Sequence, residues 1–247
     1  MATGQRRLMQ STATARKRVC VIAGAGPGNG LAFARRFVNA GYRVGLLARD
    51  PSRLATLTSS LHGAHGVAAD LTDAAAVTAA FTGMADQLGE AEVLIYNAGA
   101  GKFGNVDQIV AADFEAAWRT NALGCFLSVQ QVLPGMRRRG GGCIVVIGAT
   151  ASIKGGAHFA AFASAKAALR SLAQSLARQL GPENIHVAHV VIDGVVALER
   201  TRKLMPDRKD EFFMQPDAIA DSVFHLTTQP RSAWTFELDL RPFAEKW

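Results

Sequence analysis

The segment that most constrains this chain is Val19-Cys20-Val21-Ile22-Ala23 running without a break into Gly24-Ala25-Gly26-Pro27-Gly28-Asn29-Gly30, and then into Leu31-Ala32-Phe33-Ala34-Arg35-Arg36-Phe37. An apolar β-branched run, a glycine turn and an amphipathic stretch in that order predict a strand, a tight turn and a helix. Glycines let backbone N–H groups approach a ligand closely, and a helix N-terminus adds partial positive charge, so the turn suits a pyrophosphate. A turn without ligand is the alternative reading, and four glycines within seven residues weigh against it.

Beyond this unit the 247-residue chain alternates short β-branched runs with longer Ala- and Leu-rich stretches, the pattern of a parallel sheet covered by helices. Strands are predicted at residues 18–23, 43–47, 66–69, 93–96, 143–147, 186–192 and 235–238. The fold class expected is α/β, a single Rossmann-like domain over residues 18–247 with about seven mainly parallel strands in a doubly wound sheet and helices on both faces. Asp50-Pro51 opens the second helix, since Asp caps free N–H groups and Pro fits the first turn. Residues 159–180 read as one long helix stopped by Gly181-Pro182. Residues 193–215 carry Arg200, Arg202, Lys203, Arg208 and Lys209, too charged for core and too long for a simple connection, and are expected to form a substrate lid.

Lysine and arginine number 27 against 20 acidic residues, a formal net charge of +7. Arg6, Arg7, Arg16, Lys17 and Arg18 supply five of these within an acid-free stretch, which leaves 22 basic against 20 acidic residues in the remainder. The predicted domain is nearly neutral, which argues against a nucleic-acid partner. Arg137-Arg138-Arg139 precedes Gly140 at a predicted helix end, where basic side chains complement the dipole. Residues 1–17 read as a disordered basic tail in preference to a transit peptide. No apolar stretch approaches the ~18 residues of a membrane span. Cys20, Cys125 and Cys143 lie in apolar runs without metal-ligand spacing, so buried free thiols, no metal and a cytoplasmic location are expected.

The strict G-x-G-x-x-G spacing fails at Asn29, whereas G-x-x-x-G-x-G is met by Gly24, Gly28 and Gly30. Asp70 closes the third predicted strand, Asn97-Ala98-Gly99 follows the fourth, Asn121 lies on the next helix and Lys166 on the long one. Together these residues resemble the short-chain dehydrogenase/reductase family over residues 19–240. The resemblance implies an NAD(P)(H)-dependent oxidoreductase acting on a small molecule. It implies a dinucleotide held at Gly24, Gly28, Asn29 and Gly30, with Asp70 and Leu71 flanking the adenine. Asn97, Ala98 and Gly99 would line the cofactor and brace the strands. Enzymes that prefer NAD carry an acid about 20 residues beyond the glycines for the ribose 2′-OH. Ala48-Arg49 stands there instead, and a guanidinium makes charge-assisted contacts with a 2′-phosphate. NADP(H) is therefore favoured over NAD(H). Ala23 in place of the family's usual Thr, and Pro27 with no N–H to offer, lower the expected affinity.

In that family an Asn, a Ser, a Tyr and a Lys cooperate, the Tyr exchanging a proton with the substrate oxygen. Here Phe162 occupies the tyrosine position, four residues before Lys166, and Ala149, thirteen residues before Phe162, occupies that of the serine. The two tyrosines, Tyr42 and Tyr96, lie off the long helix. Thr150, Ser152, His158 and Ser164 remain, and His158, as an imidazole, is the residue type best suited to proton transfer. A structural role is the competing reading for each. Lys166 keeps the family's task of holding the nicotinamide ribose hydroxyls, and Asn121 matches the family asparagine that holds a relay water or is structural. Asp193-Gly194 replaces the usual Pro-Gly, placing a carboxylate near the expected nicotinamide edge or merely forming a turn.

Loss of a positioned acid costs about 10²- to 10⁴-fold in rate while leaving orientation and hydride donation intact. The leading expectation is an oxidoreductase with non-standard proton delivery, acting on an activated carbonyl or an enoyl or acyl thioester, since family branches that reduce enoyl thioesters lack the tyrosine at this spacing. Phe before Lys with an imperfect glycine motif resembles a divergent bacterial subgroup of the family. The alternative is a non-catalytic NADP(H)-binding regulatory or scaffold protein. The alternating stretch 233–242 corresponds to an edge that packs against a partner subunit in the family, so a homodimer or homotetramer is implied.

Overall fold

In a computed structural model, residues 18–244 are described; the predicted basic tail at residues 1–17 and the final Trp247 lie outside them. The glycine-rich unit forms as the sequence predicts. Strand β1 (Val19–Ala23) is wholly buried and leads through the turn into α1 (Asn29–Asn39). Then follow β2 (Arg43–Ala48), α2 (Pro51–Ser59), β3 (Ala64–Ala68), α3 (Ala74–Leu88), β4 (Val93–Tyr96), α4 (Ala111–Trp118) and α5 (Gly124–Arg139). The chain continues through β5 (Gly142–Ile147), α6 (Ala160–Leu180) and β6 (Ile185–Ile192). It closes with β7 (Val195–Val196), α7 (Glu199–Leu204), β8 (Phe213–Met214), α8 (Pro216–Leu226) and β9 (Glu237–Leu240).

Seven strands build one parallel sheet in the order β3-β2-β1-β4-β5-β6-β9. The chain winds outward from β1 to β3 and then returns to β4 on the other side of β1, so the carboxyl ends of β1 and β4 flank the switch point where open α/β sheets bind ligands. Apolar residues on the two sheet faces feed separate cores. One holds Phe33 and Phe37 of α1, Leu54 of α2 and Ile219 of α8; the other holds Val77 and Met84 of α3, Cys125 of α5 and Leu169 of α6. The Phe37 ring meets Phe224 edge-on at 5.2 Å, which locks α1 to α8.

Asp50 accepts hydrogen bonds from the backbone N–H of Ser52 and Arg53 at 3.0 and 3.1 Å. This is the cap the sequence predicts, stabilising by about 1 kcal/mol. The long helix ends where Gly181 and Pro182 were expected to stop it. Two strands, β3 and β9, are displaced from expectation by two residues, and the other five of the sheet by no more than one. β3 starts at Ala64 because Ala64 and His65 pair with Val44 and Gly45, although neither is a strong strand former. β9 starts at Glu237 because Trp234 stacks on His186 at 4.8 Å and the Thr235 carbonyl accepts from His186 Nε2 at 2.8 Å. Those contacts occupy residues 234 and 235, and the β6–β9 ladder begins with the Phe236 carbonyl, which accepts from the His189 N–H at 2.6 Å.

Arg137, Arg138 and Arg139 do more than complement a helix dipole. They pair with Glu183, Glu90 and Glu92 at 2.6, 2.5 and 2.8 Å. Glu92 also accepts from Arg18 at 2.8 Å and from the Tyr42 hydroxyl at 3.4 Å, tying β1, β2 and α5 together at the amino edge of the sheet. Cys20, Cys125 and Cys143 are buried free thiols, as expected.

Candidate active site at the carboxyl edge of the sheet

The glycine turn sits at the carboxyl end of β1, and its glycines serve different ends. Gly24 has φ +98°, and a Cβ there would lie 2.3 Å from the Ala98 nitrogen. Only glycine lets the turn approach the loop after β4 so closely. A Cβ on Gly30 would press on the Ala25 backbone at 2.9 Å, so the helix start needs a glycine too. At Gly26 a Cβ would meet no protein atom within 4 Å. The chain's own packing therefore does not demand glycine at position 26, and the open space beside it suits a close-lying ligand. Gly28 caps α1 with no side-chain hydrogen bond to the first-turn N–H groups, and the Asn29 Oδ1 is buried without a partner. Uncapped N–H groups beside an open cradle fit a phosphate.

Asn97 braces the strands as expected: its backbone N–H donates to Ala23 O at 2.8 Å and its Nδ2 to Gly24 O at 2.8 Å. Ala98 N donates to the same Ala23 carbonyl at 2.9 Å. Asp70 is exposed just beyond β3 and accepts from the Thr72 N–H and hydroxyl, both at 2.9 Å. These bonds, led by the Thr72 N–H, lower its carboxyl pKa, and the charge of Arg49 contributes. Leu71 is buried next to it. Arg49 is exposed at the end of β2, on the same rim as the glycine turn.

Lys166, on the first half of α6, is buried, and its Nζ donates to Ile147 O at 2.9 Å. Burial pulls its pKa down to about 8. A Cβ on Gly99 would lie 3.3 Å from Lys166 Nζ and 3.4 Å from Asn121 Oδ1, so these two groups converge behind Gly99. Asn121 belongs to a single widened π-helical turn, Arg119–Leu123, between α4 and α5, a departure from the regular helix expected there. Its Nδ2 donates to Ala100 O and Ala117 O at 2.6 and 2.8 Å, while Oδ1 is buried without a partner. One polar end is thus structural and the other is open to a ligand or water. Such turns often mark functional sites.

Phe162 lies one turn before Lys166, its ring centroid 5.9 Å from Nζ. The backbone of Gly101 rests on the ring, since a Cβ there would come within 2.5 Å of it. Phe103 meets Phe159 and Phe162 edge-on at 5.2 and 5.5 Å, forming an aromatic wall at the mouth. His158 is exposed on the loop before α6, and its carbonyl accepts from Gly104 N at 2.9 Å. Ser164 spends its hydroxyl on Ala160 O at 2.7 Å. Ser152 is buried and its Oγ accepts from the Ala149 N–H at 3.1 Å.

Two polar chains here were invisible to sequence reasoning because each joins distant segments. Thr150 donates its hydroxyl to Asp193 Oδ1, and Asp193 Oδ2 lies 3.4 Å from Arg241 Nη1. Behind them, His189 donates from Nδ1 to Glu237 Oε2 at 3.0 Å, and Glu237 is gripped by Arg170 at 2.5 and 2.8 Å. The Arg170 guanidinium is the leading cause of a lowered Glu237 pKa, and burial lowers that of His189. His189 Nε2 is buried without a partner beside Gly148.

The segment after β6 crosses the cleft. A Cβ on Gly28 would strike the Leu198 side chain at 2.2 Å, so residues 193–198 run from the Thr150 side to the glycine turn. The charged segment beyond is ordered by pairing of β7 with β8, and its short α7 carries Arg202, bound to Asp210 at 2.5 Å. A cavity of about 310 Å³ also opens at the amino edge, lined by Arg139, Cys143, His186 and Trp234. Its polar side chains are engaged: Arg139 holds Glu92, His186 holds Thr235 O, and burial pushes the Cys143 thiol up to about 12. No group of His, Cys, Asp and Glu suited to a metal occurs among the described residues.

The short chain dehydrogenase family profile matches residues 18–209, and the chain belongs to this family of oxidoreductases. Among its relatives, 3-oxoacyl-[acyl-carrier-protein] reductase MabA of Mycobacterium tuberculosis is 31% identical over 76% of this chain and 72% of its own length. An inactive 2-(S)-hydroxypropyl-CoM dehydrogenase 2 of Xanthobacter autotrophicus is 36% identical over 67% of this chain and 72% of its own. Among solved structures, a metagenomic short-chain oxidoreductase in complex with NADP superposes with a TM-score of 0.79, at 29% identity over 92% of this chain and 98% of that one.

Proposed function

We propose that the chain is an NADP(H)-dependent oxidoreductase whose proton delivery does not use the Tyr and Ser of its family, acting on an activated carbonyl or an enoyl thioester. The observation that carries this reading is the arrangement of the glycine turn and the Lys166–Asn121 pair at the carboxyl edge of the sheet. An open glycine cradle over an uncapped helix start faces Lys166 and Asn121, which converge behind Gly99. Gly24, Gly28, Asn29 and Gly30 would hold the pyrophosphate, Asp70 and Leu71 the adenine end, and Lys166 the nicotinamide ribose. The dinucleotide supplies or accepts hydride when bound. Arg49 on the exposed rim favours a 2′-phosphate, and the NADP complex of the metagenomic relative supports that choice. The name of the MabA relative supports a thioester substrate. The apolar wall of Phe103, Phe159 and Phe162 would pack against the substrate and exclude water.

The reading extends to the assembly. Val110, Phe114, Trp118 and Phe126 are exposed along α4 and α5, an apolar stripe that a second subunit would cover in a homodimer or homotetramer. No helix among the described residues is long and apolar enough to cross a membrane, and a cytoplasmic location is proposed.

The test is binding of NADPH and NADH by titration, followed by turnover on matched carbonyl and enoyl-thioester panels for wild type and Phe162→Tyr/Ala149→Ser. The expected results are tighter NADPH binding and measurable turnover, with ketone reduction rising in the double variant. NADPH that binds but is never consumed on any panel would instead establish the non-catalytic reading, which the loss of Tyr and Ser motivates.

A further inference from the structure

We infer that Thr150 and Asp193 form a proton relay that replaces the missing tyrosine, and that the carboxylate sets this site to take a proton from a secondary alcohol. The inference rests on the oxidoreductase reading above and deepens it. Asp193 directly follows β6 at the carboxyl edge, and its carboxylate is nearly buried. Oδ1 accepts the Thr150 hydroxyl, which follows directly on Ala149, and Oδ2 faces the Arg241 guanidinium at 3.4 Å. The Asp193 N–H donates to Leu240 O at 2.8 Å, so the turn is pinned to β9. From Asp193 the chain runs over the cleft to Leu198 above Gly28. Gly26, with no protein atom within 4 Å of a Cβ built there, leaves the open space in which a dinucleotide phosphate would lie beside this strap.

With its own proton directed at Asp193, the Thr150 oxygen presents lone pairs to a substrate hydroxyl and can take that proton as its own passes to the carboxylate. In alcohol oxidation the substrate hydroxyl proton passes to Thr150 Oγ1 while the Thr150 proton passes to Asp193 Oδ1. A bound oxidised nicotinamide would take the carbinol hydrogen with its electron pair as hydride, balancing formation of the carbon–oxygen double bond. Reduction is the reverse and starts from protonated Asp193. The charged groups around the carboxylate are Arg241 in direct contact, Asp239 bound to Arg241, Lys166 on α6, and the His189–Glu237–Arg170 chain of β6, β9 and α6.

The test compares wild type, Asp193→Asn, Thr150→Val and Thr150→Ser for oxidation of cyclohexanol, 1-phenylethanol and a 3-hydroxybutyryl thioester with NADP⁺. Asp193→Asn and Thr150→Val should each lower kcat about 10²-fold or more, whereas Thr150→Ser, which keeps the hydroxyl, should stay within about threefold of wild type. The wild-type oxidation rate should fall on acidification, and that limb should vanish in Asp193→Asn. A second readout is free of turnover: the oxidised nicotinamide is cationic and the reduced one neutral. Asp193→Asn should therefore weaken NADP⁺ about three- to tenfold more than NADPH. Undiminished kcat in Asp193→Asn, or an unchanged NADP⁺ to NADPH affinity ratio where wild type turns over none of the alcohols, overturns the relay alone. Failure of wild type to bind either dinucleotide overturns the cofactor reading and the relay with it.

Discussion

Replacing Lys166 by Met should stabilise the protein near neutral pH and, on the proposed reading, weaken its hold on a nicotinamide ribose. The lysine is buried, and burial lowers its pKa from the ordinary 10.5 to about 8. Each pKa unit is worth about 1.4 kcal/mol, so holding the ammonium in the fold costs about 3 kcal/mol at pH 7. Met fills similar volume without charge but leaves the Ile147 carbonyl without the donor now 2.9 Å away, a loss of about 1 kcal/mol. The net gain for Lys166→Met is about 2 kcal/mol at pH 7. Between pH 8 and 10.5 the unfolded wild type binds more protons at this residue than the folded one, so wild-type stability rises with pH through that window. Above it the ammonium cost is gone and the variant should be less stable by the hydrogen bond, about 1 kcal/mol. Urea unfolding of both proteins at pH 7, 9 and above 10.5 reads the difference directly, because groups common to both cancel. A difference that stays flat with pH, or a variant less stable than wild type at pH 7, would refute the burial argument.

Other consequences are equally open to measurement. Gly24→Ala forces a side chain into φ +98° and against the Ala98 backbone, and should cost more than about 2 kcal/mol by thermal melting. Gly26→Ala meets no protein atom, so it should leave the melting temperature unchanged and weaken NADPH binding; equal effects at both positions would contradict the division of roles. Glu92→Ala should cost about 2 kcal/mol by leaving the poorly exposed Arg139 unpaired, and a variant as stable as wild type would show the cluster is solvated. His158→Ala should leave turnover within about twofold of wild type, because a true general acid shows losses of 10²-fold or more on removal.

The sheet was legible because β-branched runs and glycine or Asp-Pro punctuation report local chemistry. The α2 cap at Asp50 and the stop at Gly181 appear where they were expected. What escaped depends on partners distant in the chain. The start of β9 is set by His186 engaging Trp234 and Thr235, some 50 residues later. The three arginines before Gly140 each find a glutamate on another element. The widened turn at Asn121 is held by Tyr96, whose hydroxyl donates to Thr120 O at 2.5 Å, and no spacing in the sequence encodes that reach. In the site, Lys166 Nζ and Asn121 Oδ1 come together behind Gly99, a proximity that spacing in the sequence does not encode. Thr150 and Asp193 were each visible as single residues, but their joining through a hydrogen bond was not.

The knot at Glu92 carries a consequence for how such a protein changes over time. Arg18, Tyr42 and Arg139 meet there at the amino edge of the sheet, on the end opposite the cleft. Tertiary bracing concentrated at that end relieves the reactive rim of much structural duty. Phe162 and Ala149 stand on that rim without a hydroxyl to satisfy. The rim is thus free ground for new chemistry, and the architecture beneath it outlasts whichever reaction it happens to host.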